Sequence, residues 1–113
     1  MKSLAIKRVY ERPAESDGSR ILVDRLWPRG LSKRKAALDG WEKELAPTPA
    51  LRKWFGHKPE RFAEFKRRYR AELKHNSSVK TLKAKKGKLT LLYGARDPQI
   101  NHAVVLAQFL KRD

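Results

Sequence analysis

The chain has 113 residues, a length typical of one domain. It contains no cysteine, which excludes disulfides, thiolate metal sites and cysteine nucleophiles. Its 28 lysines and arginines against 12 acidic residues give a formal net charge of +16. Such a charge attracts polyanions, nucleic acid above all, although a highly charged surface with no physiological partner explains it equally.

Membrane association is not expected from this sequence. No apolar run approaches the roughly 18 residues that a membrane-spanning helix needs. The N-terminal residues reach Lys7 and Arg8 too early to form the apolar core of a signal peptide. We therefore expect a cytoplasmic protein.

The N-terminal part of the chain predicts two strands. Residues 3–10 alternate loosely between apolar and polar side chains, and residues 20–26 contain a continuous apolar run. Such a run is typical of a strand that is buried on both faces of a sheet. Pro28 and Gly30 predict the end of the second strand, since proline has no amide proton and glycine permits a sharp turn.

The middle of the chain predicts four helices from N-caps, helix-ending glycines and apolar residues at spacings of three and four. They are a helix over 33–46 capped by Ser32, a short helix from Pro49 to Gly56 capped by Thr48, a helix from Pro59 to about residue 75, and a short helix that follows Asn76 or Ser77 and ends at Gly87.

The C-terminal part predicts a third strand and a last helix. Residues 88–95 form the strand, and Asp97 caps a helix that has Pro98 at its first position. Strands at both ends with helices between them predict an α/β fold. We expect a single compact domain over residues 1–113, with a small, largely parallel three-stranded sheet flanked by about five helices.

The exits of the second and third strands carry the candidate binding residues. In open α/β sheets, ligands bind beyond the carboxyl ends of the strands. If these two strands are parallel, the motifs VDRLWPRG (23–30) and YGARDP (93–98) lie at one edge of the sheet. The candidate anion-binding residues are Arg25, Arg29, Tyr93, Arg96, Asp97 and Asn101.

The chemistry of these residues suits phosphate or carboxylate. Arginine presents a planar fork of donors, and the N-terminus of the last helix adds unpaired N–H groups. The alternative is structural, since Asp24 and Arg25 form an ion pair equally well at a strand end and Asp97 serves as a helix cap.

His102 and Asp24 are the candidate catalytic residues. His102 follows the third strand and falls in the first turn of the last helix, where it could transfer a proton together with Asp24. The alternative is a histidine without chemistry, which lies on the surface of the helix or packs the helix against the rest of the fold. The three histidines of the chain show no metal-ligand spacing, so no metal or other cofactor is predicted.

Two runs of cations are candidates for a nucleic-acid surface. One crowds the first turn of the helix after Ser32, where each cation is disfavoured by about 0.3–1 kcal/mol, and the other follows one flank of the helix after Pro59. A solvated helix face explains both runs as well. The residues are Lys33, Arg34, Lys35, Lys66, Arg67, Arg70 and Lys74.

From about Lys7 to Leu110 the sequence resembles the YeaO-like branch of the domain-of-unknown-function family 488. VDRLWPRG and the ARDxxxNHA pattern at 95–103 carry the resemblance. It implies a compact α/β domain and no established activity. The resemblance implies that other branches of the family carry a cysteine in the third strand and a Cys-His-Arg run beyond it. This chain has Tyr93 and Asn101-His102 at roughly those places, so no thiol mechanism is expected for it.

Three functions remain open from the sequence. The first is an anion-binding domain that takes the phosphate of a nucleotide or nucleic acid at the strand exits. The second is a small enzyme in which Arg25 and Arg96 hold an anionic metabolite while His102 or Asp24 moves a proton. The third is a partner-binding module without chemistry, for which we expect an exposed apolar patch and no pocket. The sequence predicts no oligomeric state.

Overall fold

A computed structural model of the chain describes residues 3–112, which contain four β-strands and five α-helices. The strands are β1 (Ser3–Arg8), β2 (Ser19–Leu22), β3 (Gly40–Trp41) and β4 (Lys88–Tyr93). The helices are α1 (Lys33–Ala36), α2 (Pro49–Phe55), α3 (Phe62–Lys74), α4 (Ser78–Lys83) and α5 (His102–Lys111). The predicted domain also includes residues 1, 2 and 113, which lie outside the described residues.

The four strands form one sheet in the order β1-β4-β2-β3, and every pairing is parallel. Ser3 pairs with Lys88 at one side of β4, and Ile21 pairs with Leu91 at the other. The prediction of an α/β fold with a parallel sheet is confirmed. The predicted number of strands is wrong, because β3 adds a fourth.

Side chains alternate between the two faces of the sheet and build a separate apolar cluster on each. Ile21 and Leu91 belong to the larger cluster, which α2, α3, α4 and α5 cover. Leu22 and Leu92 belong to the smaller cluster, which contains Ala36 of α1. Helix α1 therefore lies on the opposite side of the sheet from α3.

The predicted helix over 33–46 is wrong, because within it only α1 and a 3₁₀ turn at Lys43–Leu45 are helical and a strand lies between them. Ser32 caps α1 as expected and accepts a hydrogen bond from the Lys35 N–H, but Ala37 is left-handed with φ of 48°. The chain then turns back so that Gly40 and Trp41 pair with β2. The apolar residues of this segment serve opposite faces of the sheet, Trp41 in the smaller cluster and Leu45 in the larger, which no single helix face allows.

A buried ion pair fixes the end of α1 to the sheet. The Arg20 guanidinium donates to Asp17 Oδ2 at 2.5 Å and to the carbonyl oxygens of Ala36 and Ala37 at 2.7 and 2.9 Å. Lys7 Nζ lies 3.0 Å from Asp17 Oδ1. Burial acts to raise the pKa of Asp17, but hydrogen bonds from the Ala14 N–H, Lys7 and Arg20 outweigh it and lower the pKa from 3.8 to about 2.

The predicted start of the last helix is also wrong, because α5 begins at His102 and its N-cap is Asn101. The Asn101 side chain accepts from the Val104 N–H at 3.0 Å and donates to the Asp97 carbonyl at 2.7 Å. Asp97 accepts from the N–H groups of Gln99 and Ile100, which forms a turn that does not continue into helix. These two hydrogen bonds hold the pKa of the Asp97 carboxyl below its usual value.

The remaining helices follow the prediction with shifted ends. Thr48 caps α2 and Gly56 ends it with φ of 54°, as expected. Helix α3 starts at Phe62 after a 3₁₀ turn at Pro59–Arg61, and α4 ends before Gly87. No helix within residues 3–112 combines the length and apolar character needed to span a membrane.

Candidate functional site

Parallel pairing brings the exits of β2 and β4 together at one edge of the sheet. The Val23 N–H donates to the Leu92 carbonyl at 3.0 Å, which continues the pairing beyond β2. One residue later, Asp24 Oδ2 accepts from the Gly94 N–H at 2.9 Å. A Cβ at position 94 would lie 2.9 Å from that oxygen, so the glycine permits this close approach. The two sequence motifs thus meet at their second residues, Asp24 and Gly94.

A hollow of about 300 Å³ opens at this edge, and we call it the strand-exit hollow. Five of the eight candidate residues of the strand exits line it: Asp24, Arg25, Arg29, Asn101 and His102. Its remaining walls include apolar side chains from the loop after β2 and from α2 and α3, namely Leu26, Trp27, Phe55 and Phe65.

Asp24 and His102 contact each other at the floor of the strand-exit hollow. His102 Nε2 lies 3.0 Å from the Val23 carbonyl oxygen and 3.2 Å from Asp24 Oδ1. Nε2 donates to the Val23 carbonyl oxygen, which can only accept, whereas Asp24 Oδ1 is buried beside it without a hydrogen bond within the described residues. The Gly94 N–H holds Asp24 Oδ2, so the other carboxylate oxygen, Oδ1, faces the His102 ring and helps to orient it.

The tyrosine beneath this pair is part of the core. Tyr69 is 1% exposed, its ring meets the His102 ring at a centroid distance of 6.3 Å, and its hydroxyl donates to the Leu45 carbonyl. Burial raises the pKa of the Tyr69 hydroxyl far above its ordinary value. The phenol is therefore a neutral support for the imidazole.

Arg25 is anchored, whereas the other arginines of the hollow are not. Arg25 Nε and Nη2 donate to the carbonyl oxygens of Ala46 and Pro47 at 3.3–3.4 Å. Its Nη1 makes no hydrogen bond with the part of the chain that the structure describes. Arg29 and Arg52 are exposed, and within residues 3–112 their guanidinium groups bond to no other residue.

Three predicted binding residues do not line the hollow. Arg96 and Asp97 are exposed beyond the end of β4. Tyr93 is 3% exposed and packs in the larger core cluster, and burial raises the pKa of its hydroxyl. Parallel pairing brings strand exits together but does not determine the direction that each later side chain takes.

Sequence reasoning missed Tyr10, Arg52 and His57, which also line the hollow. Tyr10 follows the exit of β1, so the rule that ligands bind at the carboxyl ends of strands would have found it. Its hydroxyl donates to the Arg29 carbonyl at 2.7 Å, and the Arg8 guanidinium lies 4.6 Å from its ring centroid. Arg52 and His57 come from α2 and the turn after it, and nothing in their local sequence indicates the contact.

The predicted nucleic-acid surface is divided between the two sides of the sheet. Lys33, Arg34 and Lys35 are exposed on α1. Lys66, Arg67, Arg70 and Lys74 lie on α3 and line a second, larger groove. Because the sheet separates α1 from α3, the seven cations form no continuous surface.

Fold and site together define a parallel α/β protein with an arginine-lined hollow at the carboxyl edge of a four-stranded sheet. Residues 3–113 match the family model described as "Inactive DUF488-N3 subclade", and the chain belongs to this family.

Similar proteins support the same assignment. The chain is 49% identical to the "Uncharacterized protein YeaO" of Escherichia coli (strain K12) over 112 residues, covering 96% of this chain and 97% of that protein. It is 41% identical to the "Uncharacterized protein Rv3073c" of Mycobacterium tuberculosis (strain ATCC 25618 / H37Rv) over 107 residues, covering 93% and 91% of the two chains. The YeaO-like resemblance is confirmed. No solved structure shows significant similarity to the chain.

Proposed function

We propose that the strand-exit hollow binds an anion, namely the phosphate of a nucleotide or of a nucleic acid. One observation carries the proposal: three arginines, Arg25, Arg29 and Arg52, line the hollow, and its lining within residues 3–112 contains a single carboxylate. That carboxylate, Asp24, is already directed at Gly94 and His102. The hollow therefore keeps a net positive lining that a phosphate would neutralise.

The free donors of the three arginines favour an oxyanion over a neutral ligand. The guanidinium groups of Arg29 and Arg52 have no hydrogen-bond partners within the described residues, and Arg25 retains Nη1. Guanidinium forks bind phosphate oxygens with charge-assisted hydrogen bonds, which are about twice as strong as neutral ones. Arg25 is the fixed member of the set, because the Ala46 and Pro47 carbonyl groups hold it in place.

Size and wall chemistry favour a phosphate that carries an organic group. A volume of about 300 Å³ is at the lower end of the range for small-molecule sites, and it exceeds the needs of a bare phosphate. Tyr10 and Leu26 line the hollow and are 39% and 60% exposed. An aromatic ring and an apolar side chain at this position offer a surface to a nucleobase or a similar flat group.

A second candidate is proton transfer on a bound anion, and the contact between Asp24 and His102 favours it. An imidazole oriented by a carboxylate is a usual general acid or base. The family description, which calls its subclade inactive, favours binding without chemistry. We therefore place anion binding first and catalysis second.

The third candidate, a partner-binding module, has less support. It leads to the expectation of an exposed apolar patch and no pocket. Within residues 3–112 the exposed large apolar side chains are Tyr10 and Leu26, and both line the strand-exit hollow.

A comparison of two arginine variants tests the proposal. We expect Arg52→Ala to weaken binding of inorganic phosphate or of a nucleoside monophosphate, because it removes a charged hydrogen-bond donor worth about 1.5–3 kcal/mol, or roughly tenfold to hundredfold in affinity. Arg96→Ala removes the same charge from an exposed position outside the hollow and should leave the affinity unchanged. The measurement is the melting temperature of the full chain against ligand concentration at constant ionic strength.

Two results would argue against the proposal. Equal weakening by Arg52→Ala and Arg96→Ala would mean that overall charge, and not the hollow, attracts the ligand. A phosphate effect that chloride reproduces at equal ionic strength would mean that the hollow has no affinity for phosphate.

A further inference from the structure

A groove on the helical side of the molecule has only cations among its charged lining residues. It lies between α3, α4 and the C-terminal end of α5, has a volume of about 880 Å³, and we call it the basic groove. No aspartate or glutamate is among its lining residues within the described chain. Its cations are Lys66, Arg67, Arg70, Lys74, Lys80, Lys83 and Arg112.

The cations on α3 are arranged in a row. Lys66, Arg70 and Lys74 follow one another at intervals of four residues, which places them on one face of the helix about 6 Å apart along its axis. Like charges at this spacing destabilise a helix. Lys80 of α4 lines the same groove and adds a further positive charge to it.

Neutral groups hold two of these cations without cancelling their charge. Lys66 Nζ lies 4.8 Å from the centroid of the Phe62 ring, and Arg70 Nη2 donates to Gln108 Oε1 at 3.3 Å. Arg67 differs, because its Nη2 pairs with Glu64 Oε2 at 2.6 Å. Glu64 does not line the groove. The groove therefore keeps most of its positive charge, and several anionic groups spaced along a chain would neutralise it.

We propose that the basic groove binds the phosphate backbone of a nucleic acid without reading its sequence. A regular row of cations suits the regular phosphates of a nucleic-acid strand, and backbone contacts of this kind supply nearly all of sequence-independent binding. Phe109, the aromatic residue among the described lining residues, packs partly against the core, with Lys83 Nζ 6.0 Å from its ring centroid, so the contacts of the groove are mainly with the backbone. The cations of α1 do not take part, because they occupy a helix of one turn on the other face of the sheet.

The basic groove and the strand-exit hollow are separate sites. A depression between them shares Arg25 with the hollow and Leu73 with the groove. Glu44 and Glu72 line this depression and would repel a polyanion that crossed it. Binding in the groove therefore does not depend on the proposed function of the hollow.

Two charge-matched triple variants of the full chain test the groove. The groove variant is Lys66→Gln, Lys74→Gln and Lys80→Gln, and the control is Lys33→Gln, Arg34→Gln and Lys35→Gln. The side chains of Lys74 and Lys80 are exposed and make no hydrogen bond or ion pair within residues 3–112, so we expect their replacement to leave the fold intact. The measurement is fluorescence anisotropy of a labelled single-stranded oligonucleotide of mixed sequence at several salt concentrations.

The salt dependence of oligonucleotide binding distinguishes phosphate contacts in the basic groove from attraction by the overall charge of the protein. The slope of log K against log salt is negative, and each phosphate contact on a single strand contributes about −0.7 to it. Loss of three contacts should therefore make the slope less steep by about 2. We expect this change, and at least a tenfold loss of affinity at low salt, for the groove variant. The control has the same net charge and should keep the slope of the natural chain. Arg96→Ala, at an exposed position outside both sites, should also keep it. The hollow is tested separately with inorganic phosphate or a nucleoside monophosphate, so failure of one proposal is distinguishable from failure of the other.

Three results would overturn the proposal. The first is an equal effect of the two triple variants, and the second is no binding of the oligonucleotide at low salt. The third is competition by polyglutamate that is as effective as competition by unlabelled oligonucleotide of equal charge. The last result would assign the groove to an acidic polypeptide. If the groove variant melts without a cooperative transition, the double variant Lys74→Gln and Lys80→Gln is compared with Lys33→Gln and Lys35→Gln, with an expected slope change of about 1.4 for the two lost contacts.

Discussion

Asp17→Ala is expected to lower the free energy of unfolding by about 3–5 kcal/mol, the loss typical of breaking a buried ion pair from one side. The residue is 5% exposed, as is its partner Arg20. Without the carboxylate, the Arg20 guanidinium stays buried with only the Ala36 and Ala37 carbonyl groups as acceptors. Lys7 loses the same partner. Urea denaturation of the variant and the natural chain measures the difference.

The pH dependence of this difference supplies a second check. The pKa of Asp17 is lowered to about 2 in the folded chain from 3.8, so the carboxylate stabilises the fold fully above pH 3.8 and loses its effect as the pH falls through about 2. The difference between the two chains should therefore shrink in this window. Glu15→Ala, at an exposed neighbouring position, is the control and should change stability by under about 0.5 kcal/mol. A loss below about 1 kcal/mol for Asp17→Ala would contradict the account.

Phe65→Ala is expected to cost about 3–5 kcal/mol of unfolding free energy, as large-to-small changes of buried aromatic residues do. Phe65 is 1% exposed and stacks on Phe55 with ring centroids 4.2 Å apart. It also lines the strand-exit hollow, so its loss extends the hollow into the core. The same helix thus builds both the core and a wall of the proposed site.

Phe62→Ala is the matched control for this change. Phe62 is on the same helix, but it is only half-buried and its ring lies 5.9 Å from Phe55. Chemical denaturation should therefore show a clearly smaller loss for Phe62→Ala. Equal losses for the two variants would contradict the assignment of Phe65 to the inner wall.

The longest strands and helices were predictable from local patterns. Continuous apolar runs gave β2 and β4, and their parallel direction followed from burial on both faces. Strand β3 was missed because it has only two residues, Gly40 and Trp41, and its position depends on contacts with β2 that are distant in sequence. The end of α1 also depends on a contact that is distant in sequence, since the Arg20 side chain donates to the Ala36 carbonyl 16 residues away.

The candidate site was predictable where it depends on sheet topology. The sequence predicted parallel strands but not their order, and Asp24 and His102 come together because β2 and β4 are neighbours in the sheet. Arg96 was expected beside them, but the Asp97 turn and the later start of α5 leave it outside the hollow. Arg52 was not expected, since its place in the hollow depends on the packing of α2 and not on a strand exit.

A crystal structure of the full chain grown with tungstate, a phosphate-like oxyanion with strong anomalous scattering, would locate anions on the protein. We expect an anomalous peak in the strand-exit hollow within hydrogen-bond distance of Arg25, Arg29 and Arg52. This peak should disappear in Arg52→Ala and persist in Arg96→Ala. A hollow without such a peak in crystals that bind tungstate elsewhere, or a peak that survives in Arg52→Ala, would contradict anion binding at this site.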